Sequence, residues 1–216
     1  MATSSHALLS RRSLLAASLA ALAPEPAFAA GRAPVVTILG DSITAGLGLA
    51  AADALPARLQ QALAKIGVPA TVRGAGVSGD TTAGGLSRLD FSVQPDTAVC
   101  VVALGGNDLL QGLDTKAMRA NLTRIVERLK ARRIGVVLTG LRAPTAIGRH
   151  YAEDYDAVFS AVAKAERVAF YPDLRAGVAG VPRLTQGDGI HPNAAGVLII
   201  ARGLAPVVAR ALKAHR

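Results

Sequence analysis

Short apolar runs that alternate with helix-length segments constrain this chain more than any other feature of its sequence. The runs are Val35–Leu39, Ala70–Arg73, Thr97–Leu104, Ile134–Thr139 and Val168–Tyr171. They are rich in β-branched residues, as strands are. Thr97–Leu104 is apolar at nearly every position, which suits a strand buried on both faces at the centre of a sheet. Between the runs the spacing predicts helices near Ala54–Ile66, Thr82–Leu89, Thr115–Arg132 and Tyr151–Glu166. Leu122, Ile125, Val126 and Leu129 form one apolar stripe on the third of these. A last helix is predicted from an Asn193 cap to about Lys213, kinked or divided at Pro206. Strand–helix alternation of this kind predicts an α/β fold, a mainly parallel sheet covered on both faces. Such a sheet gathers its polar site at the C-terminal ends of its strands.

The chain has 216 residues, enough for one domain with a substantial core. Its first 29 residues read as an export signal rather than part of that domain. Arg11-Arg12 precede the apolar run Leu14–Ala23, and Ala27-Phe28-Ala29 offers a small-residue cleavage site. The run is too short to span a bilayer. Ser10-Arg11-Arg12-Ser13-Leu14-Leu15 also resembles a twin-arginine signal, with Leu14 where phenylalanine is usual. The expected product is a single domain, residues 30–216, that is periplasmic or secreted.

The formal charge of +9 raises the question of an anionic partner. The basic residues are scattered, as in Arg124, Arg128, Lys130, Arg132 and Arg133, with no basic run interleaved with aromatics. No nucleic-acid partner is expected; a transient contact with a membrane surface is compatible with the charge, and a monomer is expected. Cys100 lies in an apolar run and reads as an inert core residue. His150, His191 and His215 show no metal-ligand spacing, so no metal is expected.

Chemistry-bearing residues cluster after the strands. Gly40-Asp41-Ser42 closes the first, where a serine serves either as a nucleophile held clear of the sheet or as a helix N-cap. Asp188 and His191 stand three residues apart before the last helix. A carboxylate so placed can fix the imidazole tautomer and make it a base; a capping Asp beside an unrelated His fits the same spacing. After the central strand, Gly105-Gly106-Asn107-Asp108 is either an ordinary turn or a mount for an oxyanion donor, the Asn107 amide. Gly74-Ala75-Gly76-Val77-Ser78-Gly79 reads as a Gly-rich turn that matches a dinucleotide fingerprint, although it follows the second strand rather than the first. The reading preferred for it is a loop whose Gly79 N–H lines the same pocket.

Taken together, Gly40-Asp41-Ser42-Ile43, Ser78-Gly79-Asp80-Thr81, Gly105-Gly106-Asn107-Asp108 and Asp188-Gly189-Ile190-His191-Pro192-Asn193 resemble the SGNH (GDSL-type) hydrolases. The likeness is greatest to the periplasmic arylesterase, acyl-CoA thioesterase and lysophospholipase branch. Ile43 stands where the name-giving motif has leucine. The resemblance implies a flavodoxin-like three-layer α/β/α fold on a five-stranded sheet and a chemistry without cofactor. It also implies roles: Ser42 as nucleophile, His191 as base, Asp188 as its orienter, and Ser42, Gly79 and Asn107 as oxyanion donors. In the loop after the fourth strand, Pro144 and Ile147 can pack on an acyl chain, and Arg142 or Arg149 can meet a phosphate headgroup; a solvated loop is the alternative. The activity expected is hydrolysis of acyl esters, with thioesters and lysophospholipids as further substrates. Carbohydrate or peptidoglycan O-deacetylation is the alternative within the family, and a nucleotide- or solute-binding α/β protein the alternative outside it.

Overall fold

The computed structural model describes residues 33–215; the expected signal peptide lies outside the described residues. The chain runs β1 (Val35–Gly40), α1 (Ser42–Ala45), a 3-10 turn (Ala51–Asp53), α2 (Leu55–Lys65) and β2 (Thr71–Gly76). Then come α3 (Thr82–Ser87), α4 (Leu89–Ser92), β3 (Thr97–Ala103), α5 (Gly106–Leu110), α6 (Thr115–Ala131) and β4 (Gly135–Thr139). A 3-10 turn (Thr145–Ile147), α7 (Arg149–Glu166), β5 (Ala169–Tyr171), a third 3-10 turn (Pro182–Leu184) and α8 (Ala194–Ala214) complete it.

The strands form one parallel sheet in the order β2-β1-β3-β4-β5. This is the flavodoxin-like three-layer fold. β1 is buried along its whole length and β3 nearly so, which explains their unbroken apolar sequence. The Thr37 and Thr97 hydroxyls, buried between these two strands, satisfy each other at 2.8 Å. On one face α2 packs against α8; on the other α6 packs between α3 and α7. α6 buries Met118, Leu122, Ile125, Val126 and Leu129 as a single stripe, and Asp114 caps it by accepting from the Lys116 N–H. Asn193 caps α8 as expected, accepting from the Gly196 N–H at 3.1 Å. Cys100 is fully buried, and burial pushes its thiol up to about 12.

Three expectations are corrected here. Gly74, Ala75 and Gly76 belong to β2 and form no turn. A Cβ on Gly76 would lie 2.3 Å from the Ala45 nitrogen, and one on Gly74 would lie 2.8 Å from Pro56 Cγ. Both glycines therefore let α1 and α2 lie close over the strand. No phosphate cradle is left there, which removes the basis for the nucleotide-binding reading. Residues 106–110 are helical, so Asn107 is carried by α5. α8 continues undivided through Pro206. Its neighbours Ala205, Val207 and Val208 are buried, and that packing works against the cost of an interior proline, about 3 kcal/mol from the lost hydrogen bond and the ring clash together.

The sheet order fixes where a site can form. β1 has β2 on one side and β3 on the other, so the chain leaves these strands in opposite directions. A crevice opens between their C-terminal ends.

Candidate active site

β1 ends at Gly40, where a Cβ would lie 2.1 Å from Thr44 Oγ1. The turn into α1 closes only on glycine. Asp41 then caps α1, its Oδ1 accepting from the Ile43 N–H at 3.0 Å. Asp41 thus takes the capping role that the sequence left open to Ser42. Ser42 is the first residue of α1, and its hydroxyl is free to meet a partner from the far end of the chain.

That partner is His191. Ser42 Oγ lies 2.8 Å from His191 Nε2, and His191 Nδ1 lies 2.5 Å from Asp188 Oδ2. An ionised carboxylate only accepts, so Nδ1 carries the proton and Nε2 is left to accept from Ser42. Asp188 also shapes its loop: Oδ1 accepts from the backbone N–H groups of Ile190 (2.9 Å) and His191 (3.0 Å). The imidazole hydrogen bond, and then those two N–H groups, hold the Asp188 carboxyl at about 2. Gln186 ties this loop to the nucleophile side of the crevice. Its amide donates to the Leu47 carbonyl at 2.8 Å and the Pro192 carbonyl at 3.1 Å.

Asn107, on α5, lines the same cavity as Ser42. Its Nδ2 donates to the Asp80 carbonyl at 2.8 Å, and among the described residues the second N–H of the same amide has no acceptor. Gly79, next to Asp80, adopts φ +86°; it is exposed and does not line the cavity. Two polar clusters fix this side. Arg88 pairs with Asp80 at 2.5 Å and donates to the Ala75 and Gly40 carbonyls, each at 2.9 Å. It therefore links the ends of β1 and β2 to the loop that carries Gly79. Buried Asp108 accepts from the Thr82 N–H (2.8 Å) and hydroxyl (2.6 Å), which anchors the start of α3. Behind them, Gly105 is left-handed at φ +116°; a Cβ there would lie 2.9 Å from Phe159 Cζ. Its carbonyl accepts from the buried Tyr155 hydroxyl at 2.9 Å.

Above Ser42, Asn107 and His191 opens a cavity of about 600 Å³, within the range of small-molecule sites. Leu109, Leu110 and Leu141 give it an apolar wall, and the predicted Arg142, Pro144 and Ile147 all line it. Arg142 is committed in part to Asp156, at 3.1 Å, while Arg149 does not line the cavity. Asp41 lines it too, though only 5 % exposed, and burial pushes its carboxyl up to about 6. Among the described residues, no group of three or more His, Cys, Asp or Glu is placed to hold a metal. The sequence reading had missed Asp41, Arg88, Gln186 and Arg175, the last a further cavity residue.

A hydroxyl, an imidazole and a carboxylate in line above the switch point of a parallel sheet form an arrangement suited to hydrolysis of ester bonds. Comparison with known proteins agrees. Residues 38–198 match the GDSL-like lipase/acylhydrolase family. Esterase TesA of Pseudomonas aeruginosa is 39 % identical over 161 residues, spanning 74 % of this chain and 80 % of the relative. Thioesterase 1/protease 1/lysophospholipase L1 of Escherichia coli K12 is 36 % identical over 167 residues, spanning 77 % and 79 %. The crystal structure of AlinE4, an SGNH-hydrolase family esterase, superposes with a TM-score of 0.71 at 40 % identity, covering 84 % of this chain and 97 % of that one. The chain belongs to the GDSL-like lipase/acylhydrolase family, and it is an ester hydrolase.

Proposed function

We propose that this protein is an exported serine esterase whose nucleophile is Ser42. The observation that carries the proposal is the continuous row Asp188–His191–Ser42, with contacts of 2.5 and 2.8 Å. His191 takes the Ser42 proton as Oγ attacks the acyl carbon, and Asp188 holds the ring and stabilises the imidazolium. The Ser42 N–H and the second Asn107 N–H receive the charge that develops on the carbonyl oxygen, while Gly79, outside the cavity lining, is not assigned to it. His191 then protonates the leaving alcohol or thiol, and water, activated by the same imidazole, releases the acid.

The apolar wall favours acyl esters, lysophospholipids among them, over sugar O-acetyl groups. Thioesters suit the same chemistry, but an exported enzyme is parted from cytoplasmic acyl-CoA. The protein acts as a monomer in the periplasm or outside the cell after loss of residues 1–29.

A panel of p-nitrophenyl esters from acetate to palmitate, with a lysophospholipid, tests the reading. Ser42→Ala should reduce kcat by on the order of 10⁶ while leaving the fold intact. A fluorophosphonate should label Ser42 alone. Substantial turnover by the pure variant would overturn the assignment.

A further inference from the structure

Arg175 stands apart from the other arginines of the site. It follows β5, is half-buried, and lines the cavity beside His191, Ile190 and Ala179. Its Nη1 donates to the Ile190 carbonyl at 3.1 Å, and its backbone N–H donates to Asp173 Oδ1 at 3.0 Å. The neighbouring Arg142 has Asp156 as a counter-ion, and Arg88 has Asp80. No described carboxylate pairs with the Arg175 guanidinium. A guanidinium offers five N–H donors in a planar fork, and the Ile190 carbonyl uses one of them. The carbonyl that fixes it belongs to the residue before His191, so the charge is held close to where bonds change. Asp41 lines the same cavity but makes no ion pair with Arg175, so among the described residues this half-buried cation is left without a carboxylate partner, and the space that an anion would fill is the space that substrate fills.

We infer that Arg175 is an anion anchor and that the preferred substrates are esters carrying a phosphate or carboxylate within reach of the scissile bond. This rests on the esterase reading and deepens it. The planar fork matches the two oxygens of either group, and the apolar wall takes the acyl chain. The headgroup role assigned from sequence to Arg142 or Arg149 thereby passes to Arg175, which has no ion pair to break among the described residues.

The test compares matched esters that differ only by an anion. Octanoyl glycerol phosphate against octanoyl glycerol places it on the leaving group; the p-nitrophenyl monoester of glutaric acid against p-nitrophenyl valerate places it on the acyl side. In at least one pair kcat/KM should favour the anionic member by about tenfold or more. That ratio should fall towards one in Arg175→Gln and recover in part in Arg175→Lys. The arm that shows the preference identifies the side on which the anion sits. Ratios near one in both arms of the wild type, or a wild-type ratio kept by Arg175→Gln, overturn the inference. Circular dichroism checks that Arg175→Gln is folded; if it is not, Arg175→Met takes its place under the same criteria. Calorimetric titration of Ser42→Ala with octanoyl glycerol phosphate and octanoyl glycerol, with and without Arg175→Gln, reads the anchor without turnover. If no ester is hydrolysed the esterase reading fails, and this titration still decides the role of Arg175: tighter binding of the phosphate that is lost with Arg175→Gln upholds it, and equal binding of the two ligands refutes it.

Discussion

Asp41 is the residue at which capping and burial pull against each other. Its carboxylate caps the helix that carries Ser42, yet burial raises it from 3.8 to about 6. Below pH 3.8 the group is protonated both folded and unfolded, and its contribution to stability is fully present. As pH rises the unfolded chain ionises first, so that contribution is lost progressively up to about 6, an effect of about 3 kcal/mol. Asp41→Asn keeps an acceptor for the Ile43 N–H and removes the charge. It should raise the thermal midpoint at about pH 8 and leave it near wild type at about pH 3.5. Thermal unfolding across that range checks this; a gain independent of pH would refute it. Asn107 poses a different question, because its amide both holds the Asp80 carbonyl and faces the cavity. Asn107→Ala should lower kcat by about 10²–10³ with a smaller change in KM. Near-normal kcat in a less stable variant would show a structural role only.

At the scale of elements, the decisive contact is that between α1 and β2. Gly76 has the Ala45 nitrogen and the Asp41 carbonyl oxygen at 2.3 and 2.7 Å from where its Cβ would be. Both are backbone atoms, which cannot rotate away. Gly76→Ala should therefore push α1 off the strand, cost about 1–3 kcal/mol in stability, and reduce activity even in the folded fraction because α1 carries Ser42. Urea denaturation beside active-site titration checks both effects; a stable, fully active variant would show that the contact gives way. This contact also shows what the sequence could and could not reveal. Gly74 and Gly76 look like turn residues because nothing local betrays the helix lying over them. Ser42, Asp188 and His191 were legible because a strand end and a three-residue spacing are local patterns. Asn193 was legible for the same reason. Arg88, Gln186 and Arg175 join segments far apart in sequence, so no nearby residue announced their role. Asp41 was hidden by its neighbour, since either residue of Asp41-Ser42 can cap a helix.

For the whole molecule, alternation of strands and helices implied a doubly wound sheet, but the order β2-β1-β3-β4-β5 depends on pairings that the local pattern does not encode. The N-terminal boundary is open to direct measurement. β1 begins at Val35, so cleavage after Ala29 leaves the first strand whole. Intact-mass analysis of exported protein should give a chain starting at Ala30. Retention of Leu14–Ala23, or a start inside β1, would contradict the signal-peptide reading.

Ser42 and His191 are 149 positions apart, whereas Asp188 and His191 are separated by three. The ribosome thus releases Ser42 early and delivers His191, three residues after the Asp188 that it contacts, near the end. α8 follows His191 and packs across α2, so the loop is clamped only when the C-terminus closes its layer. A nascent chain that stops short of residue 191 has no Ser42–His191 contact. Chain order alone therefore keeps the Ser42 hydroxyl without its imidazole partner until residue 191 has been made.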